Sequence, residues 1–261
     1  MMKFSELSEV VNTWQEGVLT IRMNRPAKKN ALTHAMYRAL ASALHDADND
    51  DAVRVVLLCG CPGAFTSGND LMDFLGNPLL GEESPVLSFL YALAGLKKPL
   101  LAAVEGLAVG IGATLLLHCD YVCAGEKSTF QLPFVNLGLV PEAGSTLLLP
   151  RMLGHLRASE LLLFGETFTA VTAKEAGFVT TVCPDDQVMA MALARARQLA
   201  AQPAAAVRQT KALLKRSTDA ELRDTLRVET EIFMQQLSSP EAAEALQAFA
   251  ERRRPDFSRF N

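Results

Sequence analysis

The sequence predicts an α/β fold built on a parallel sheet covered on both faces, and three observations carry that reading. Short β-branched runs end in turn residues. Stretches with apolar residues at helical spacing stand between them. The strand-like runs are apolar almost without interruption, as strands are when both faces are buried. At 261 residues, 49% hydrophobic and 21% charged, the chain can bury one large core or two smaller ones.

The elements follow in chain order. "GVLTIRMNRP" reads as a strand, "THAMYRALASALHDADNDD" as a helix with Thr33 as its N-cap, and "AVRVVLLCG" as a second strand. "PLLAAVEG" is a third strand, "GIGATLLLHCD" a helix apolar on every side, and "YVCAG" the next strand. "GNPLLGEESP", residues 76–85, has the composition of a mobile loop. After about Leu147 strands become scarce. Helices are expected over "HLRASELLLFG", "TAKEAGF", "DQVMAMALARARQLAAQ", "AAAVRQTKALLKR" and "DAELRDTLRVETEIFMQQL". The organisation therefore divides near residue 200, with a mixed core over 1–200 and a helical region over 201–261. The apolar faces of those last helices are too extensive for one small layer to bury, which predicts self-association.

Composition excludes several functions. A net charge of −4, from 25 basic and 29 acidic residues, offers no polycationic surface for nucleic acid or anionic lipid. The five cysteines, Cys59, Cys61, Cys119, Cys123 and Cys183, fit reduced thiols; Cys-x-Cys at 59–61 and the His118, Cys119, Asp120, Cys123 group match no zinc or redox spacing. The start "MMKFSELSEVV" carries acids where a signal peptide needs an apolar region, and "SRFN" is no peroxisomal address, so a cytoplasmic protein is expected. The longest uncharged apolar run, "GLAVGIGATLLLH", is about half a membrane span.

Chemistry is expected at three glycine-marked turns: "GAFTSGNDL" (63–71), "GLAVGIGATLLL" (106–117) and "VNLGLVPEAGSTLLLPRMLG" (135–154). A glycine turn running into a helix lets a ligand approach backbone N–H groups that have no partner within the helix, which suits an oxyanion. Close helix-to-sheet packing explains the same glycines without a ligand. Gly106, Gly110 and Gly112 do not form G-x-G-x-x-G, and no Walker-type lysine follows. The third turn holds a lone carboxylate, Glu142, among apolar residues, Gly and Pro. A buried acid of this kind takes a proton, finds a partner or turns to water. Glu142 is either a proton-transfer group or an acid stabilised at a helix N-terminus. Two further acids lie near these turns: Glu105, at the end of a strand, where a polar strand-end residue is the commoner explanation, and Asp70, within the first turn. Ser145 and the four histidines, His34, His45, His118 and His155, show no nucleophile–base pattern.

Taken together, "NRPAKKNAL", "FTSGNDL", the block from "GLAVGIGATLLL" to "LLLPRMLG" and the basic "ERRRPDF" resemble the crotonase (enoyl-CoA hydratase/isomerase) superfamily in order and spacing. The resemblance implies a spiral of ββα turns with a helical C-terminal region, assembled as trimers or dimers of trimers. It implies a coenzyme A thioester whose carbonyl is held by the backbone N–H groups of Asn69 and Ile111. Ser67, Gly68, Asp70 and Leu71 at the first turn and Gly110 at the second are then substrate contacts, although Asp70 also suits fixing its own turn. Lys28, Lys29 and Arg253 correspond to segments that reach the coenzyme A end. No cofactor is implied beyond the coenzyme A carried by the substrate.

The acids choose among reactions. A hydratase of this family carries two glutamates at positions that here hold Thr114 and Phe134, whereas Glu142 matches the single base of the Δ3,Δ2-enoyl-CoA isomerases. The resemblance thus implies movement of a double bond from the 3,4 to the 2,3 position of an acyl-CoA. The alternatives are an isomerase of aromatic-derived acyl-CoAs, a weak hydratase using Glu142 alone, and an acyl-CoA-binding scaffold without turnover.

Overall fold

The computed structural model describes residues 8–76, 84–251 and 253–260; the loop expected over 76–85 falls largely outside them, at 77–83. The main sheet has six strands in the order β1 (Val10–Gln15), β2 (Val18–Met23), β3 (Val55–Cys59), β5 (Leu100–Val104), β7 (Tyr121–Gly125) and β10 (Thr181–Cys183). From β2 onward neighbours are parallel, as the apolar runs require. Only the edge strand β1 is antiparallel, joined to β2 by a two-residue turn in which Glu16 (φ 51°) and Gly17 (φ 78°) both take positive φ.

Every residue of β3 and β5 is buried, and the alternation of side chains sorts them onto two layers. Val56, Leu58, Leu100 and Ala102 enter the larger core with α1 (His34–Asn49) and α3 (Pro85–Gly95). Val55, Leu57, Cys59, Leu101 and Ala103 face the other way, onto Val188, Ala192, Ala196 and Ala200 of α8 (Val188–Ala200). Alanine at every fourth position lets α8 lie close to the sheet. Thr33 caps α1 as expected, its hydroxyl accepting the Met36 N–H at 3.2 Å.

A second sheet went unread in the sequence. It consists of β4 (Ala64–Thr66), β6 (Leu107–Val109), β8 (Thr129–Gln131) and β9 (Phe168–Thr169), in that order. Strands of two or three residues are too short to show a period, and β6 lies inside the stretch read as a glycine turn. The helix expected over 110–120 is also shorter than its apolar pattern: α4 (Ile111–Thr114) tightens at once into a 3-10 turn, Leu115–His118. The remaining helices are α2 (Leu71–Gly76), α5 (Ser145–Leu153), α6 (His155–Ser159, continuing as a π turn to Phe164), α7 (Ala170–Glu175), α9 (Ala204–Lys215), α10 (Asp219–Leu237) and α11 (Pro240–Ala250). Among the described residues no helix is long and apolar enough to cross a membrane.

Candidate active site

The small sheet aligns the first two glycine turns. β4 and β6 run parallel, pairing Ala64 with Leu107 and Thr66 with Ala108, and each ends in a turn that starts a helix, α2 or α4. Gly68 (φ 91°) sits so close to the neighbouring turn that a Cβ would lie 3.0 Å from the Val109 carbonyl oxygen. Gly110 takes φ 56°, ψ −121°, a region costly for any residue with a Cβ. It turns the chain so that the Ile111 N–H, at the first position of α4, has no intrahelical acceptor. Asn69 is flanked by bonds that leave its own N–H out: Leu32 N–H donates to the Gly68 carbonyl (2.8 Å), and Asp70 N–H donates to the Leu32 carbonyl (2.9 Å). Neither the Asn69 nor the Ile111 N–H donates to a backbone carbonyl of another described residue outside regular helix and strand pairing. Two free donors thus lie at the ends of paired strands.

Buried side chains brace the first turn. Asn30, fully buried, donates through Nδ2 to the Ala64 and Phe65 carbonyls (2.8 and 3.1 Å) and accepts the Arg25 N–H (2.8 Å). Tyr37 donates its phenol to Asn69 Oδ1 at 2.5 Å. Burial, and secondarily the Glu142 charge, pushes the Tyr37 pKa well above its ordinary value, so it serves as a neutral donor. Asp70 fixes its own turn, accepting the Met72 and Asp73 N–H groups (3.1 and 3.2 Å), and Arg25 meets its other oxygen at 2.6 Å. Partial burial pushes the Asp70 carboxyl up, but the bonds from Arg25 and the backbone outweigh it and hold the pKa below the usual range.

Glu142 and Asn69 line one pocket. It is lined mostly by Phe74, Val86, Leu87, Leu90, Phe233 and Met234, with His34 among the few polar residues. Glu142 is the only carboxylate among the described lining residues. It is 6% exposed, and its Oε1 is buried without a hydrogen-bond partner, as is Ser145 Oγ. Desolvation first, and the charge of Glu229 second, push its pKa up to about 8.

Backbone strain and a distant acid hold this carboxylate in place. Ala143 (φ 62°) and Gly144 (φ 71°) are successive left-handed residues that reverse the chain between Glu142 and α5. The Ala143 conformation costs on the order of 1 kcal/mol, and its carbonyl is pinned by the His118 Nε2–H at 2.8 Å. Burial, reinforced by Lys215, pushes the His118 pKa down to about 4, so that imidazole stays neutral. The helix-end role open to Glu142 in the sequence belongs instead to Glu229 of α10. Its carboxylate accepts the Gly144 N–H (2.6 Å), the Thr146 N–H (2.9 Å) and the Thr146 hydroxyl (2.5 Å). The signal for Glu229 was an acid on the buried stripe of an amphipathic helix, in register with Leu222, Leu226 and Phe233.

The other residues singled out in the sequence fall into separate groups. Lys28 and Lys29 are exposed, but the Ser67 N–H donates to the Lys29 carbonyl (3.0 Å), which holds that segment beside the first turn. Ser67, Gly68 and Leu71 flank Asn69 without lining the pocket, and Gly110 shapes the second turn from behind Ile111. Arg253 is engaged within its own chain, with Glu244 at 2.5 Å and Glu251 at 2.6 Å. Glu105 stands outside the pocket lining; burial raises its pKa, and its charged neighbours are Arg22 and Asp185. Thr114 and Phe134 are buried, the Thr114 hydroxyl donating to the Gly110 carbonyl at 3.3 Å.

Asn69 lines the pocket and Ile111 does not; parallel β-turn-α units of this kind, with a helical C-terminal region, define the crotonase class of fold. The chain belongs to the enoyl-CoA hydratase/isomerase family, whose sequence profile matches residues 13–259. It is 36% identical over 252 residues to the 2,3-dehydroadipyl-CoA hydratase of Escherichia coli K12, covering 96% of this chain and 99% of that protein. It is 34% identical to the enoyl-CoA delta isomerase 2 of Rattus norvegicus, covering 96% of this chain and 66% of that one. The crystal structure of an enoyl-CoA hydratase/isomerase from Pseudoalteromonas atlantica T6c superposes with a TM-score of 0.91 at 40% identity, over 95% of this chain and 99% of that one. The fold and family are therefore those the sequence resembled, and the relatives include both hydratases and isomerases.

Proposed function

We propose that the protein is a Δ3,Δ2-enoyl-CoA isomerase. The observation that carries this reading is Glu142, an unpartnered carboxylate and the only one among the described pocket-lining residues; the sequence holds Thr114 and Phe134, which do not line that pocket, where the resemblance puts a hydratase's two acids. Moving a double bond needs one group that takes a proton and gives it back; adding water across the bond needs acids and bases on both reacting partners.

The N–H groups of Asn69 and Ile111 polarise the thioester carbonyl and stabilise the charge that develops on its oxygen, where each such donor is worth about 10²–10³ in rate. The Glu142 carboxylate removes a proton from C2. The electron pair of that C–H bond moves toward the carbonyl, giving a dienolate conjugated with the 3,4 double bond. The dienolate collapses, C4 takes the proton from the Glu142 carboxylic acid, and the double bond comes to rest between C2 and C3. The carboxylate is regenerated. A pKa near 8 keeps the acid and base forms close in energy, which suits a group that must serve as both. Lys28 and Lys29 stand beside the oxyanion turn as partners for the coenzyme A end.

The test is incubation of purified protein with 3-enoyl-CoA and 2-enoyl-CoA thioesters of matched length, resolving positional isomers from 3-hydroxyacyl products. Isomerisation with little hydration is expected. Hydration that outruns isomerisation would overturn the assignment, and binding with no turnover would support the scaffold reading instead.

A further inference from the structure

His34, the first residue of α1, lines the same pocket as Glu142 and is almost fully buried. Its Nδ1 lies 2.7 Å from Asp73 Oδ2, and its ring stacks on Phe74 with centroids 4.4 Å apart and planes inclined by 22°. An ionised carboxylate only accepts hydrogen bonds, so a neutral imidazole here carries its proton on Nδ1 and presents Nε2 as a lone-pair acceptor. Nε2 has no hydrogen-bond partner among the described residues, and most of the surrounding wall is Phe, Leu, Val and Met. That ring nitrogen is open to a hydrogen-bonding group on a ligand in the pocket.

The fold does not need an imidazole for the tie itself, because Asp73 Oδ2 already accepts the backbone N–H of residue 34 at 2.7 Å. The ring adds one thing that the backbone bond lacks, which is a fixed acceptor on the pocket surface. We infer that His34, oriented by Asp73, is a specificity-determining residue that accepts a hydrogen bond from a hydroxyl on the acyl chain, making hydroxylated enoyl-CoA thioesters the preferred substrate class. The inference rests on the acyl-CoA reading above. Glu142 must reach C2 and C4 in that reaction, so the hydroxyl belongs at C5 or beyond. A carboxylate is the poorer match. Asp73 stands behind the imidazole, and among the described residues no lysine or arginine lines the pocket to pair with a carboxylate.

Binding of saturated thioesters tests this without turnover. Calorimetry on the full chain with hexanoyl-CoA, 5-hydroxyhexanoyl-CoA, 6-hydroxyhexanoyl-CoA and adipoyl-CoA is expected to show one hydroxy ester binding about tenfold more tightly than hexanoyl-CoA. His34→Leu should abolish that preference, and His34→Gln, whose amide oxygen accepts, should restore part of it. Equal affinities in the parent protein, tighter binding of adipoyl-CoA than of either hydroxy ester, or a preference that survives His34→Leu would each overturn the inference. The parent comparison decides the matter even if His34→Leu does not fold. Hydroxyl preference without isomerisation of any 3-enoyl-CoA would leave His34's role standing and remove the proposed reaction instead.

Discussion

Replacing Glu142 by Gln separates the cost of the carboxylate to the fold from its use in the reaction. The buried side chain has a pKa of about 8 in the folded protein, against an ordinary value of 4.5. Above pH 4.5 the unfolded chain has lost this proton while the folded protein keeps it. Folding therefore takes up a proton, and the stability associated with Glu142 declines as pH rises from about 4.5 to 8 and then levels off. At about 1.4 kcal/mol per tenfold, the ceiling on that loss is on the order of 5 kcal/mol. Relaxation and water entry around a buried charge reduce the expected loss to about 1–3 kcal/mol.

Gln does not titrate, but its amide brings two donors into a site where Oε1 already lacks a partner. Glu142→Gln should therefore be slightly less stable than the parent near pH 5 and more stable above pH 8. Urea unfolding of both proteins at pH 5, 7 and 9 measures the crossing; curves that stay parallel across that range would refute the argument. On the same variant, isomerisation should fall by at least the ~10²–10⁴ that acid–base catalysis supplies. A folded variant within tenfold of the parent would move the base elsewhere, with Glu105 the first residue to test. In the parent, kcat/KM should climb with pH toward about 8 as the base ionises.

Gly110→Ala should cost about 1–2 kcal/mol in thermal stability through strain alone, since its Cβ would meet nothing within 4 Å; a larger fall in kcat than in stability would show that the turn aims the Ile111 N–H. Glu229→Gln removes a like charge near Glu142, so the kcat/KM midpoint should move to lower pH, while a weaker cap on α5 lowers stability by about 1–2 kcal/mol; an unmoved midpoint would show that Glu229 acts only as a cap. Tyr37→Phe leaves Asn69 Oδ1 without its donor and should lower kcat several-fold with little change in KM, as steady-state kinetics would show. Self-association is the expected outcome of sedimentation at micromolar concentration, because Leu213, Leu214 and Phe249 are each at least 67% exposed on the C-terminal helices; a stable monomer would count against it.

The sequence exposes what is local and hides what is distant. Thr33 could be read as a cap because its partner, Met36, is three residues away. The parallel strands could be read because burial on both faces leaves continuous apolar runs such as "VVLLC" and "LLAAV". Glu142 stood out because its neighbours are apolar. Its setting did not, because Glu229 lies 85 residues from Gly144, and only the fold brings α10 against the start of α5. Tyr37 and His34 gave no sequence signal for their roles. Their partners, Asn69 and Asp73, are 32 and 39 residues away.

Those distant contacts give the site a common logic. A carboxylate in an apolar pocket must be kept from turning toward water, and left-handed Ala143 does this by reversing the chain directly behind Glu142. That conformation would relax unless both sides were tied. His118 ties one side by holding the Ala143 carbonyl, and Glu229 ties the other through Gly144 and Thr146. The choice of groups matters as much as their reach. A protonated histidine in place of neutral His118 would pull the Glu142 pKa down, whereas the carboxylate of Glu229 pushes it up. The bracing therefore shapes the electrostatics as well as the backbone: the residues that fix where Glu142 points also set how readily it holds a proton.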